Sequence, residues 1–224
     1  METTLREGGK KMAEIKEWTS TVTDVDSVDW KGREITLRDV PAEQSGKEIR
    51  VRLDDIMKAE QQYLAGEYGL RPTHIRELLL LYAPGKFIKT GYIEQKFRFN
   101  KMLFHEWKKL EKNGYGDSYI FDEFVSARAG PVPVNLKEDL KGLEAQSFIK
   151  AKWAERPGES SKFELTQHGK EIAKSLWDNT PTNIRDTIIQ TKEELFLVDA
   201  EQLKDRFHKE YPEYKKEYIE PDTE

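Results

Sequence analysis

The side chains able to do chemistry collect between Lys86 and Leu143. From Lys86 to Lys112, eight cations (Lys86, Lys89, Lys96, Arg98, Lys101, Lys108, Lys109, Lys112) stand against three anions (Glu94, Glu106, Glu111), in a chain whose formal net charge is -5. A basic run laced with aromatics inside an acidic protein is a local electrostatic feature, not a device for bulk solubility. The other reactive residue types are scattered. His74, His105, His168 and His208 lack the one-turn pairing of a metal-binding helix, so no metal site is expected. Gly114 and Gly116 in NGYGDS follow no apolar strand and precede no Gly-Lys-Ser or Gly-Lys-Thr, which makes them a helix-ending turn rather than a phosphate loop. Asp54 with Asp55, Asp122 with Glu123 and Glu138 with Asp139 read as helix caps or solvated faces. With no cysteine, thiolate ligands, disulfides and a Cys nucleophile are excluded. The residues therefore predict no catalytic group, no cofactor and no enzymatic activity.

A chain of 224 residues with 37% hydrophobic and 35% charged content can bury one sizeable core or two modest ones. The longest apolar run, Leu78 to Ala83, falls far short of the roughly 20 residues a membrane-spanning helix needs. The first residues carry no apolar run of signal-peptide type. A cytoplasmic location without membrane contact is expected.

The elements that position the basic run follow from periodicity. Residues 18–25, 33–38 and 48–53 read as three strands of a small antiparallel meander, because they are β-branched or alternate apolar with charged residues. A helix then begins after Asp54 or Asp55, with Ile56, Tyr63 and Leu64 near helical spacing. Thr73 is read as the N-cap of a buried helix through Ile75, Leu78, Leu79 and Tyr82, stopped by Pro84 and Gly85. Phe97 to Lys112 is the next helix, with Phe99, Leu103, Trp107 and Leu110 facing the core. Lys101, His105, Lys108 and Lys112 fall on a different, basic stripe. An extended segment at 119–125 leads to Gly130-Pro131-Val132-Pro133, which cannot be helical. A helix through Leu136, Leu140 and Leu143 follows, then two short strands, 148–153 and 162–165, around a polar loop. Thr166 caps a helix to Trp177, and two amphipathic helices, through Ile184, Ile188 and Leu195 and through Leu203 and Phe207, close the chain. The fold class predicted is α+β: a winged helix-turn-helix core at 71–180, preceded by a β region with a helix at 1–70 and followed by a helical extension at 181–224.

Three pieces carry a family likeness over roughly 71–177. Phe99-Asn100-Lys101-Met102-Leu103-Phe104 is similar to a Leu-Gln-Lys-Leu-Leu-Tyr helix. Asp122-Glu123-Phe124 leading to Gly130-Pro131-Val132 is similar to an aromatic strand with a Gly-Pro-Val turn. Leu165-Thr166-Gln167-His168-Gly169 is similar to the Leu-Thr-x-x-Gly that follows the wing in winged-helix proteins. Together they resemble the Panacea domain of phage-associated antitoxins and the YwgA-like uncharacterised proteins. The resemblance implies a winged helix, and either regulation through DNA or capture of a partner protein such as a toxin.

On the DNA reading, Lys101, Lys108 and Lys112 pair with phosphates of a double-stranded partner. Asn135, Lys137 and Lys141 enter the major groove, and Arg156 reaches a minor groove from the wing. The result is a DNA-binding transcription regulator. Glu138, Asp139 and Glu144 oppose those cations, which leaves open the antitoxin-like alternative and the plain alternative of a solvated helix. The apolar faces of the last two helices, with Leu195, Phe196 and Leu197, predict a homodimer.

Overall fold

The computed structural model describes residues 24–29, 34–38, 48–85, 91–116, 121, 123–156 and 159–215. It is a mixed α/β chain with seven α-helices and small antiparallel sheets among those residues. The chain separates into two compact units, Met1–Pro72 with Gly114–Ile120, and Thr73–Asn113 with Phe121–Glu224.

The first unit carries β1 (Asp24–Asp29), β2 (Glu34–Arg38) and β3 (Glu48–Arg52), followed without a break by α1 (Leu53–Glu67). The strands form the expected antiparallel meander in the order β1-β2-β3. Among the described residues of the first strand, Asp24 sits opposite Arg38 and Asp29 opposite Glu34, with a bulge between Val25 and Ser27. Pairing with β2 sets this register, whereas β-branched content is only a local preference. Residues 18–23 of the expected strand lie outside the described residues. Asp54 and Asp55 fall in the first turn of α1, where carboxylates oppose the helix dipole favourably.

The second unit contains α2 (Pro72–Tyr82), β4 (Tyr92–Glu94), α3 (Lys96–Lys112), β5 (Phe124–Val125), β6 (Val132–Pro133), α4 (Leu136–Ala145), β7 (Ile149–Lys152), β8 (Lys162–Leu165), α5 (Gln167–Asn179), α6 (Thr182–Leu195) and α7 (Ala200–Glu210). A 3-10 turn at Pro212–Tyr214 follows. The anticipated hairpin is present, with Lys150 opposite Glu164 and Lys152 opposite Lys162. A strand not foreseen, β4, joins it, so the sheet order is β4-β8-β7. Pro72 opens α2, and Thr73 is not its N-cap: its hydroxyl donates to Asp139 Oδ2 at 3.0 Å instead. Of the extended segment at 119–125, Phe124 and Val125 form β5, while 117–120 and 122 lie outside the described residues.

α3 is the hub. Residues 99–106 are all buried, so no side of that stretch faces water. α6 and α7 pack on it through Ile184, Ile188, Leu195, Leu203 and Phe207, each fully buried. Phe104 is ringed by Trp107, Phe124, Phe207, Tyr211 and Tyr214, with ring centroids 4.9 to 6.1 Å apart. The last two helices thus belong to the same compact unit as α3, and of the apolar residues on which homodimerisation was expected, Leu195, Leu203 and Phe207 are covered from within. Of Leu195, Phe196 and Leu197, only Leu197 is strongly exposed, at 71%.

The Leu165-Thr166-Gln167-His168-Gly169 segment has a packing reason. The Thr166 hydroxyl donates to the Ser147 carbonyl at 2.6 Å and accepts the Gly169 N–H at 2.9 Å, capping α5 against the end of α4. A Cβ at 169 would overlap the Phe148 carbonyl, so only glycine lets α5 start there. Gly169→Ala should lower the urea midpoint, at a cost of about 1–3 kcal/mol from forced backbone movement. Gly66→Ala, where a Cβ would meet nothing within 4 Å, should cost nothing. Equal midpoints for both variants would refute this account of Gly169.

Candidate functional site

α3 does not present one basic stripe. Lys101 lies inside the protein, fully buried, its Nζ donating to the Pro131 carbonyl at 2.9 Å and lying 5.1 and 5.4 Å from the ring centroids of Phe97 and Phe207. The expected phosphate contact at Lys101 is therefore corrected. Its helical position is the one predicted, but α7 and the Gly130-Pro131 turn cover that side. Gly130, at φ 86°, brings the turn so near that a Cβ would stand 3.1 Å from the ammonium. Lys108 is drawn to Glu111 at 2.9 Å and lies 4.2 Å from the Trp107 ring centroid, while Lys112 is exposed. His105 is buried with Glu194 at 3.0 Å, and Glu194 also accepts from Lys109 at 2.5 Å.

Buried charge recurs around α2 and α3. Arg76 of α2 pairs with Glu106 of α3, both buried. Lys192 of α6 donates to the carbonyls of Leu81 and Ala83 at 2.8 and 2.9 Å, closing the C-terminal end of α2. Burial pushes the ammonium groups of Lys101 and Lys192 down to about 7. Burial also lowers His105, more than the Glu194 hydrogen bond raises it. Glu194 is pushed up by its own burial, but the hydrogen bonds from Lys109 and His105 outweigh this and hold it below its usual range.

The remaining expected residues are on the surface. Lys137 and Lys141 are exposed on α4, Asn135 is exposed at its N-cap position, and Arg156 is exposed in the hairpin loop. Two of the three acids set against them are turned away from that outward face. Asp139 is buried, and Glu144 accepts the Ala151 N–H at 3.3 Å and the Trp153 indole N–H at 3.2 Å. Lys96, at the start of α3, is near enough to Lys137 for that charge to reinforce the lowering that burial causes. Lys112 is sixteen residues further along α3, about 24 Å at 1.5 Å per residue. The structure thus brings Lys96 together with Lys137 and sets Lys112 far along α3. Sequence reasoning missed Lys96 as a neighbour of α4, and also Lys150, Lys152 and Lys162, exposed on the hairpin sheet. The alternation in Lys150-Ala151-Lys152 was the available signal.

Beside this face is an open groove of about 250 Å³ lined by Tyr92, Glu94, Gln95, Arg98, Phe196 and Leu197. Gln95 adopts φ 69°, rare for a non-glycine residue, and Arg98 lies over the Phe196 ring. A second cluster that sequence reasoning missed is internal: His74 and Glu77 of α2 with Asp139 of α4, all buried. His74 and Glu77 stand three apart on one helix, a spacing visible in the sequence. No family model and no curated protein matches the chain. Among the described residues, no helix is long and apolar enough to cross a membrane.

The two buried lysines have a measurable consequence. Their folded pKa values lie below the roughly 10.4 of an unfolded lysine, so between pH 7 and 9 the unfolded chain binds more protons and stability rises with pH. Chemical denaturation from pH 6 to 9 should show that rise, and Lys101→Met should reduce its slope. An unchanged slope in the variant would mean that Lys101 titrates normally.

Proposed function

We propose that α2 to α5 form a winged helix and that the protein binds duplex DNA, with α4 entering the major groove and the β7–β8 hairpin reaching along the backbone. The observation that carries this reading is the order α2, β4, α3, β5, β6, α4, β7, β8, α5, with β4 joining the hairpin sheet and α4 turning Lys137 and Lys141 outward. The hairpin adds Lys150, Lys152, Arg156 and Lys162, all exposed. Glu138 is the exposed acid among them on α4, since Asp139 and Glu144 turn elsewhere. On this reading Lys101 acts from within by fixing the Gly130-Pro131 turn ahead of α4. Lys112 lies outside the contact face, and Lys108, tied to Glu111, makes at most a peripheral phosphate contact. The role follows from the usual employment of such an architecture together with this charge, as a regulator of transcription.

Capture of a protein partner, as the antitoxin-like resemblance implies, is the second reading. The groove between Tyr92 and Leu197 favours it, because exposed Leu197 and half-buried Phe196 border Arg98 and Glu94 there, an amphipathic surface better suited to a peptide than to phosphate.

A mobility-shift titration against mixed-sequence duplex at low salt tests the first reading. The unmodified chain should bind. Changing Lys137, Lys141 and Arg156 together to Glu should abolish the shift without altering the circular dichroism spectrum. Each single change should reduce the salt slope by about one unit for every phosphate that the altered side chain no longer neutralises. No shift by the unmodified protein would remove the DNA reading, and a shift surviving the triple change would move the binding face elsewhere.

A further inference from the structure

We infer that His74, Glu77 and Asp139 form a binding site for one divalent transition-metal ion, of which zinc is the chemical type, fastening α4 to α2. Their donor atoms all lie within 4.8 Å of one another, and all three residues are buried. His74 and Glu77 stand one turn apart on α2, and Asp139 comes from the first turn of α4.

Four further observations bear on the ion. His74 Nε2 and Asp139 Oδ1 are 3.3 Å apart. Metal–ligand bonds of about 2.0 Å in tetrahedral array set neighbouring donors about 3.3 Å apart. The other oxygen, Asp139 Oδ2, accepts the Thr73 hydroxyl at 3.0 Å, which fixes the carboxylate plane and turns Oδ1 to the imidazole, as outer hydrogen bonds to metal ligands do. Glu77 also borders a cavity of about 10 Å³, lined by Thr73, Arg76 and Phe121 as well and close to the size of one water. Gly142, one turn beyond Asp139 on α4, lies against the His74 ring: a Cβ there would be 3.4 Å from Cε1, and a longer side chain would displace the imidazole.

Charge and donor type narrow the ion. Two carboxylates and a neutral imidazole balance a divalent cation, and the nearby Arg76 is matched by Glu106. One nitrogen and two oxygens in so small a space suit zinc or its neighbours. Calcium wants six to eight oxygens, and magnesium keeps several waters that a cavity of this size does not admit. The inference concerns how α4 is held, so it stands or falls separately from what α4 contacts.

The test uses the full chain, cleared of metal with a chelator and titrated with cobalt(II) and then with zinc alone. One cobalt per chain should bind, with the intense visible bands of a four- or five-coordinate ion, and zinc should displace it. Zinc should raise Tm and the chelator should lower it. His74→Gln and Asp139→Asn should lose the cobalt bands, while His168→Gln should keep them. In case those variants do not fold, the ring nitrogen resonances of the unmodified protein decide, since zinc should shift one of its four histidines at one equivalent. Absence of the bands at saturating cobalt, bands kept in both site variants, or zinc moving no histidine would overturn the site and leave a buried His–Asp pair.

Discussion

A stretch of helix with water on no side has to answer the charges it carries from within the protein, and that constraint governs the second unit. Asn100, Lys101, His105 and Glu106 all occupy the buried stretch of α3. An unpaired ion there would cost several kcal/mol, so partners must be brought to it. Arg76 comes from α2 for Glu106, the Pro131 carbonyl comes from the turn before α4 for Lys101, and Glu194 comes from α6 for His105. The partners are the neighbouring elements themselves. Apolar packing sets α6 and α7 against α3, and these polar contacts tie α2, the turn before α4 and α6 to it.

The same constraint links the interior to the surface. Lys101 ties the Gly130-Pro131 turn to α3, and the chain leaving that turn passes through β6 into α4. α4 is also held to α2 through Thr73, His74 and Asp139. The exposed lysines of α4 therefore stand on a helix anchored from both sides, so their spacing is preset before any partner arrives. A rigid array of charge loses less conformational entropy on binding than a flexible one.

Much of this architecture was legible in the sequence. The 3.6-residue spacing of Phe99, Leu103 and Leu110 located α3, and the alternation at Lys150-Ala151-Lys152 and Lys162-Phe163-Glu164 located the hairpin. Thr166 announced its cap. Periodicity assigns a residue to a stripe, however, and cannot say how many stripes a partner will cover. Lys101 has the spacing of a solvated residue for that reason, yet α7 fills its side of α3. Trp107, on the supposed core stripe, is only partly buried. The His74–Asp139 juxtaposition was invisible because the fold brings together residues far apart in the chain, although the three-residue step from His74 to Glu77 was in plain view. The strand β4 escaped notice because three residues carry too little alternation to register, and pairing with β8 supplies what local preference lacks.

Glu144 reaches from α4 to the outer side of β7, where its two oxygens take the Ala151 amide and the Trp153 indole. A terminal strand with open amides is a template onto which another chain can be laid, and many sheet proteins polymerise in that way. Here the template is occupied by a carboxylate of the adjoining helix. An incoming strand would have to evict it, leaving a negative charge facing its own backbone carbonyls. The outer edge of the hairpin is thereby obstructed at Ala151, which works against fibre growth and strand exchange there.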